Sequence, residues 1–280
     1  MLRKALVLVA ALGFSLCGAA HAATTAEEPK DIHWGFEGPF GTFDTEQLQR
    51  GYKVYHDVCS SCHSMDLMHY YSLGMPGGPF YDPKYPKPTD NPRIKAIAAD
   101  LKVGDIDSDT GDAIQRPATP ADTFKAPFAN EAAARASNGG ALPPDLSVIT
   151  LARDGGPRYV YSLLTGYAPP PAGLTVPPGK YYNAYMPGDL GAYWHGKGPV
   201  PKGGFIAMPF QLTPDRVTFD DNVHATTPEE AKDVVAFLAW ASDPHQTERK
   251  QMGFSVIIYL LILAGVVYAS YRRVWRRIEH

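Results

Sequence analysis

Cys59-Ser60-Ser61-Cys62-His63 decides how the rest of this chain is read. Cys-x-x-Cys-His is the spacing that attaches a c-type haem, with two thiols placed to form thioethers on the porphyrin vinyl groups and the next residue offering an imidazole to the iron. The competing uses of such a pair are a local disulfide and half of a zinc site. Zinc needs two further ligands, usually a second Cys/His pair at short spacing, and the sequence contains no such pair. A Cys59–Cys62 disulfide accounts neither for His63 nor for the scarcity of other cysteines. Redox chemistry on one covalently held haem is therefore the first expectation.

Haem is joined to this motif on the outer face of the bacterial cytoplasmic membrane, so an export signal is expected. Arg3 and Lys4 form a basic start, Ala5 to Leu16 is apolar, and Ala20-His21-Ala22 fits a small-x-small cleavage site. Residues 1–22 thus read as a signal peptide. Cys17 leaves with it, since Phe14 and Leu16 do not suit a lipoprotein cysteine. The mature chain then keeps only the two motif cysteines, and a structural disulfide is ruled out although the compartment permits one.

At the other end, residues 252–271 carry no charge. At about 1.5 Å per residue such a helix matches the roughly 30 Å hydrocarbon core of a bilayer. Arg249 and Lys250 precede it, and Arg272, Arg273, Arg276 and Arg277 follow it, a bracketing unlike that of a buried core helix. The positive-inside rule places residues 272–280 in the cytoplasm, leaving residues 23–247 as a periplasmic domain. Tyr259, Tyr268, Tyr271 and Trp275 include candidates for an interfacial aromatic belt.

That outer domain holds 18 basic against 27 acidic residues, a balance of about −9, with Asp100, Asp105, Asp107, Asp109 and Asp112 in one run. Such a surface argues against nucleic acid and for a basic protein partner steered by charge. Taken alone, the run also reads as a solvated loop or a calcium loop. Pro and Gly number 26 each, so much of the domain is expected as loops, with long surface excursions at 73–93 and 168–204. Helical period is clear over residues 45–58, where Leu48, Tyr52 and Tyr55 share a face that runs straight into the haem motif. Gly51 in its middle suggests close approach of another helix. A second helix is expected from Thr227-Pro228-Glu229-Glu230, with Thr227 and Glu230 as capping box, through Val234, Phe237 and Trp240 to about Ala241, ended by Asp243-Pro244. Two such helices crossing define a mainly α, class I cytochrome c-like haem domain, here with long loop excursions and one C-terminal transmembrane helix.

A low-spin electron-transfer haem needs a second axial ligand, and a thioether raises its potential relative to a second imidazole. Met65, Met68, Met75, Met186 and Met208 are the methionine candidates; His56, His69, His195 and His224 are the bis-histidine alternative. Met65 and Met68 lie too close to His63 to reach the opposite haem face. Met186-Pro187 and Met208-Pro209 both suit a ligand loop, and position favours Met208, shortly before the C-terminal helix.

The chain resembles the cytochrome c1 family, the haem subunits of the quinol:cytochrome c oxidoreductase, or bc1 complex, and in particular its bacterial members. The resemblance covers nearly the whole mature chain. It rests on Arg50-Gly-Tyr-Lys-Val-Tyr55 leading into Cys59-Ser-Ser-Cys-His-Ser-Met65, on Asn138-Gly-Gly-Ala-Leu-Pro-Pro-Asp-Leu-Ser147, and on Tyr159-Val-Tyr-Ser-Leu-Leu-Thr-Gly-Tyr167. Ile206-Ala-Met-Pro209 and Ala231 to Ser242, followed by a single span, complete it. The resemblance implies Met208 as distal ligand, Asn138, Pro143 and Pro144 lining the haem, and Arg153 and Tyr159 near a propionate. It implies an electron-transfer subunit, no enzyme on its own, that relays electrons singly from a Rieske iron-sulfur protein to a soluble or tethered cytochrome c. It further implies cytochrome b as a partner and a dimeric complex. Some bacterial members carry an extra disulfide before the distal Met, which this chain lacks the cysteines to form. An open-sited haem peroxidase or gas sensor, and a membrane-anchored monohaem subunit of a haem-copper oxidase or a free-standing carrier, are the rival readings.

Overall fold

The computed structural model describes residues 26–214, 216–219 and 226–276. The signal peptide, His224 and residues 277–280 of the tail lie outside them.

Helix α1 (Thr45–Asp57) starts where Asp44 accepts the Gln47 amide at 2.7 Å, with Glu46 complementing the positive end of the helix dipole. It buries Leu48, Gly51, Tyr52, Val54 and Tyr55 and delivers the chain into the haem motif, which forms a short 3-10 turn at Cys59–Ser61. Helix α2 (Pro92–Ala99) is capped by the buried Asn91, which accepts from the Arg93 amide and donates to the Phe80 carbonyl. Helix α3 (Glu131–Ser137) and helix α4 (Gly156–Leu164) follow, the latter entered through Gly155 at φ +83°. Helix α5 (Thr227–Ser242) buries Val234, Val235, Phe237, Leu238 and Trp240. Helix α6 (Gln246–Trp275) is the last element.

The crossing of α1 on α5 holds the domain together, and Gly51 makes it close. A Cβ at Gly51 would sit 2.1 Å from the Asp233 carbonyl oxygen and 2.7 Å from Phe237 Cβ, so only glycine lets the two backbones approach this far. Arg50 and Gln47, from the adjacent turn, both bind the Asp233 carboxylate. Around the crossing, Tyr52, Tyr55 and Phe237 pack ring against ring, with centroids 5.6 and 5.7 Å apart for the two Tyr–Phe pairs. Each such fully buried aromatic contributes on the order of 2–3 kcal/mol.

The C-terminal helix cap differs by one residue from the expectation. Thr226, not Thr227, is the N-cap, and Glu229, not Glu230, accepts its backbone N–H at 2.9 Å. Glu230 turns inward instead, fully buried, where it accepts from the Val217 amide at 3.3 Å. Burial thus takes one of two adjacent glutamates and leaves the other for the cap.

Two other expectations are corrected. The 73–93 segment is no mere surface excursion, since Leu73, Gly74, Phe80 and Asn91 are buried and carry the α2 side of the core. The 168–204 segment likewise buries Leu174, Asn183 and Leu190. It contributes strand β3 (Tyr181–Asn183), which pairs antiparallel with strand β4 (Gly204–Ile206). The acidic run folds as a hairpin of strand β1 (Lys102–Ile106) and strand β2 (Ala113–Pro117). Within it Arg116 pairs with both Asp105 and Asp122, so part of the negative charge is answered locally.

Helix α6 contains the expected 252–271 span and begins earlier, because its first turns find partners on the domain. It is 30 residues long and apolar enough to cross a membrane, with none of its most apolar stretch buried against the protein.

Candidate functional site

The haem motif is shaped by its own backbone. The amides of Cys62 and His63 both donate to the Cys59 carbonyl, at 3.1 and 2.9 Å, and this tight turn presents two thiols and an imidazole in succession. Both cysteines are free and half-buried. Burial pushes the Cys59 thiol up to about 12, with Cys62 adding to the effect, so it is held as a neutral thiol. Among the described residues no three or more His, Cys, Asp or Glu side chains gather into one group.

His63 is oriented from behind. Its Nδ1 lies 2.8 Å from the Pro144 carbonyl oxygen, which assigns the proton to Nδ1 and leaves Nε2 free to bind iron. Burial lowers the affinity of His63 for a second proton, outweighing the opposite pull of the Pro144 carbonyl and Asp145. A neutral imidazole is the form a metal requires.

The Pro144 carbonyl is held in turn by a clamp that composition and spacing did not reveal. Asp145 accepts from Ser64 Oγ at 2.7 Å, from the Asp66 amide at 2.8 Å and from the Ser147 amide at 2.8 Å. Ser147 Oγ accepts from the Leu67 amide and the Leu146 amide donates to the Ser64 carbonyl. The segments that follow His63 and Pro144 are thereby laced together across some 80 positions of sequence. Burial raises the Asp145 carboxyl, yet the hydrogen bonds from Ser147, Asp66 and Ser64 outweigh it and hold it below the usual carboxylate range. The one hint in sequence is Asp145-x-Ser147, a local side-chain turn.

The remaining expected residues fall into separate places. Asn138 ends α3, and its amide donates to the Ala134 carbonyl at 2.7 Å. Pro143 is half-buried beside Pro144. Arg153 is exposed; its hydrogen bond goes to the neighbouring Ala152 carbonyl and it forms no carboxylate pair among the described residues. Its charge acts on Tyr159: burial raises the phenol and Arg153 opposes that rise. The Tyr159 hydroxyl reaches Met186 Sδ at 4.0 Å. Met208 lies two residues beyond β4, half-buried, with its carbonyl held by the Tyr167 hydroxyl at 2.9 Å.

These residues fit a c-type haem. Two unoxidised thiols, an imidazole with a fixed tautomer, and an arginine without a carboxylate partner supply what its vinyl groups, iron and propionates need.

Over residues 34–278 the chain matches the Cytochrome C1 family. It is 36% identical to cytochrome c1 of Rhodospirillum rubrum, an alignment covering 100% of this chain and 99% of that protein. It is 42% identical to a mitochondrial protein of Arabidopsis thaliana named cytochrome c1 1, heme protein, covering 94% and 76%. It is also 40% identical to cytochrome b/c1 of Bradyrhizobium diazoefficiens, where 97% of this chain spans only 39% of the longer protein.

Proposed function

The chain belongs to the cytochrome c1 family, and on that footing we propose that it is the electron-transfer haem subunit of a bc1 complex. It relays electrons one at a time from a Rieske iron-sulfur protein to a soluble or tethered cytochrome c, beside cytochrome b and within a dimeric assembly. The observation that carries this reading is the His63 imidazole fixed by the Pro144 carbonyl at 2.8 Å directly after two free thiols.

When bound through Cys59 and Cys62, one c-type haem supplies one-electron redox chemistry. The protein's own part is positioning and tuning. His63 would hold the iron through Nε2, and its bond to the Pro144 carbonyl makes the imidazole a stronger donor. Met208, in a loop steadied by the Tyr167 hydroxyl, would be the second residue to hold the iron. The family resemblance disfavours Met186, whose sulfur lies 4.0 Å from the Tyr159 hydroxyl. Asn138 and Pro143 would line the haem together with Pro144, and Arg153 and Tyr159 would answer a propionate, whose charge is costly to bury without such a partner. Residues 1–22 direct export, 23–247 stand in the periplasm, 252–271 cross the cytoplasmic membrane and 272–280 end in the cytoplasm.

Two results test the reading. Detergent-solubilised protein carries a b-type cytochrome and a Rieske protein with it, and recovery of the haem subunit alone defeats the complex assignment. Met208→Leu abolishes the low-spin methionine-ligated spectrum whereas Met186→Leu leaves it intact; the reverse pattern transfers the ligand role to Met186.

A further inference from the structure

The first turns of α6 are gripped by the haem-bearing domain before the helix becomes wholly apolar. The Lys250 ammonium donates to the carbonyls of Phe36 at 2.6 Å and Gly41 at 3.1 Å, and to Gln246 Oε1 at 3.1 Å. Three acceptors thus meet its three donors. Beside it the Arg249 guanidinium donates to both oxygens of Asp243, the residue that ends α5. Two residues before the uncharged span an ammonium with an open path to water would extend toward it. This one is drawn instead into a cradle of backbone oxygen.

The cradle is itself built to be rigid. A Cβ on Gly41 would fall 2.0 Å from the Glu37 carbonyl oxygen, and Gly38 sits at φ +74°, so the 36–41 turn depends on both glycines. Arg158 of α4 holds the same segment by the Ile32 carbonyl and the Glu37 carboxylate. Further back, Lys30 donates to the Thr165 carbonyl and hydroxyl, and the Glu27 amide donates to the Ala184 carbonyl, two residues before Met186. At the tip of the turn Phe40 packs edge-on against Phe254, centroids 5.9 Å apart, although it is otherwise 77% exposed. Residues 26–43 therefore form one strap, fastened to α4 and the Met186 segment at one end and to α6 at the other.

We propose that Lys250 is a positioning residue that fixes the angle between the membrane helix and the haem-bearing domain. The strap transmits that angle to the site. Its consequence for electron transfer rests on the relay reading above: a domain free to tilt presents its site to a membrane-bound donor in many orientations, few of them productive.

The test uses the whole complex in membranes, with Lys250→Ala and Lys250→Arg, and reads geometry and rate separately. Nitroxides at Thr89→Cys and Arg276→Cys, both exposed positions, report the distance between domain and helix end by pulsed electron resonance. Lys250→Ala broadens that distribution and slows quinol-driven haem reduction several-fold while the reduced spectrum stays unchanged, and Lys250→Arg restores both. Where the alanine variant does not accumulate, Lys250→Gln, which keeps donors in the cradle without the charge, carries the comparison. A distribution as narrow as the parent's overturns the positioning role. A broadened distribution with an unchanged rate overturns its link to electron transfer. A parent complex that quinol does not reduce counts against the relay reading alone, because the distance comparison remains valid.

Discussion

Gly51→Ala lowers the thermal midpoint of the domain by about 4–8 °C, on a scale of roughly 2–4 °C per kcal/mol for a domain of this size. Two effects of opposite sign compete. Alanine is the better helix former by about 1 kcal/mol, and at an exposed position that gain decides the outcome. Here the added methyl meets the Asp233 carbonyl at 2.1 Å, and a backbone oxygen inside a helix has no rotamer to escape into. α1 and α5 must separate, loosening the Tyr52, Tyr55 and Phe237 packing and the Arg50–Asp233 pair. Overpacking of that kind costs about 3 kcal/mol, so a net loss of about 2 kcal/mol remains after the propensity gain. The control is Gly104→Ala on β1, where a Cβ meets nothing closer than Gln115 Nε2 at 3.5 Å and the midpoint stays put. Equal midpoints for Gly51→Ala and the parent would show that the crossing is not what holds the domain.

The same crossing shows why some of this fold was legible in sequence. Helix period and the Asp243-Pro244 stop are local signals, and a glycine in an otherwise strong helix announces a neighbour. The cap register was not legible, because Thr226 and Thr227 stand before Glu229 and Glu230 and only the buried site near Val217 selects between them. The β1–β2 hairpin was hidden by its own exposure: Ile106 and Ile114 face solvent, so no buried face imposes alternation on the aspartates between them. Pro and Gly in 73–93 reveal turns but not that Leu73 and Phe80 fill the core beneath them. At the site, two thiols and an imidazole are fixed by adjacent positions and could be read at once. What supports His63 comes from residues about 80 positions away, and a single sequence carries no mark of that pairing beyond the family likeness that pointed to Pro144.

Asp145→Ala removes the support of the proximal histidine, and its effects appear in both stability and potential. The carboxylate is the common acceptor for Ser64 Oγ and for the amides of Asp66 and Ser147. Hydrogen bonds to a charged acceptor are worth about 1.5–3 kcal/mol each, and the two stranded amides regain part of that from water at this half-buried position, leaving a net loss of about 2–3 kcal/mol. Because the folded-state carboxyl is held below its usual range, its contribution is complete above the unfolded value of about 3.9. It fades as pH falls through the lower folded value. Urea unfolding at neutral pH therefore separates parent from variant fully, the gap narrows below about pH 4, and a gap independent of pH would show that the carboxylate charge is not the source. The second readout follows from the Pro144 carbonyl, which the Asp145 clamp steadies against His63. Without the clamp the imidazole loses its acceptor and donates less strongly, the oxidised iron is less well stabilised, and the midpoint potential rises. Asp145→Asn keeps an acceptor without the charge and should restore most of the potential while recovering little of the acid-sensitive stability. A potential unmoved in the alanine variant would mean that Pro144 holds its place without Asp145.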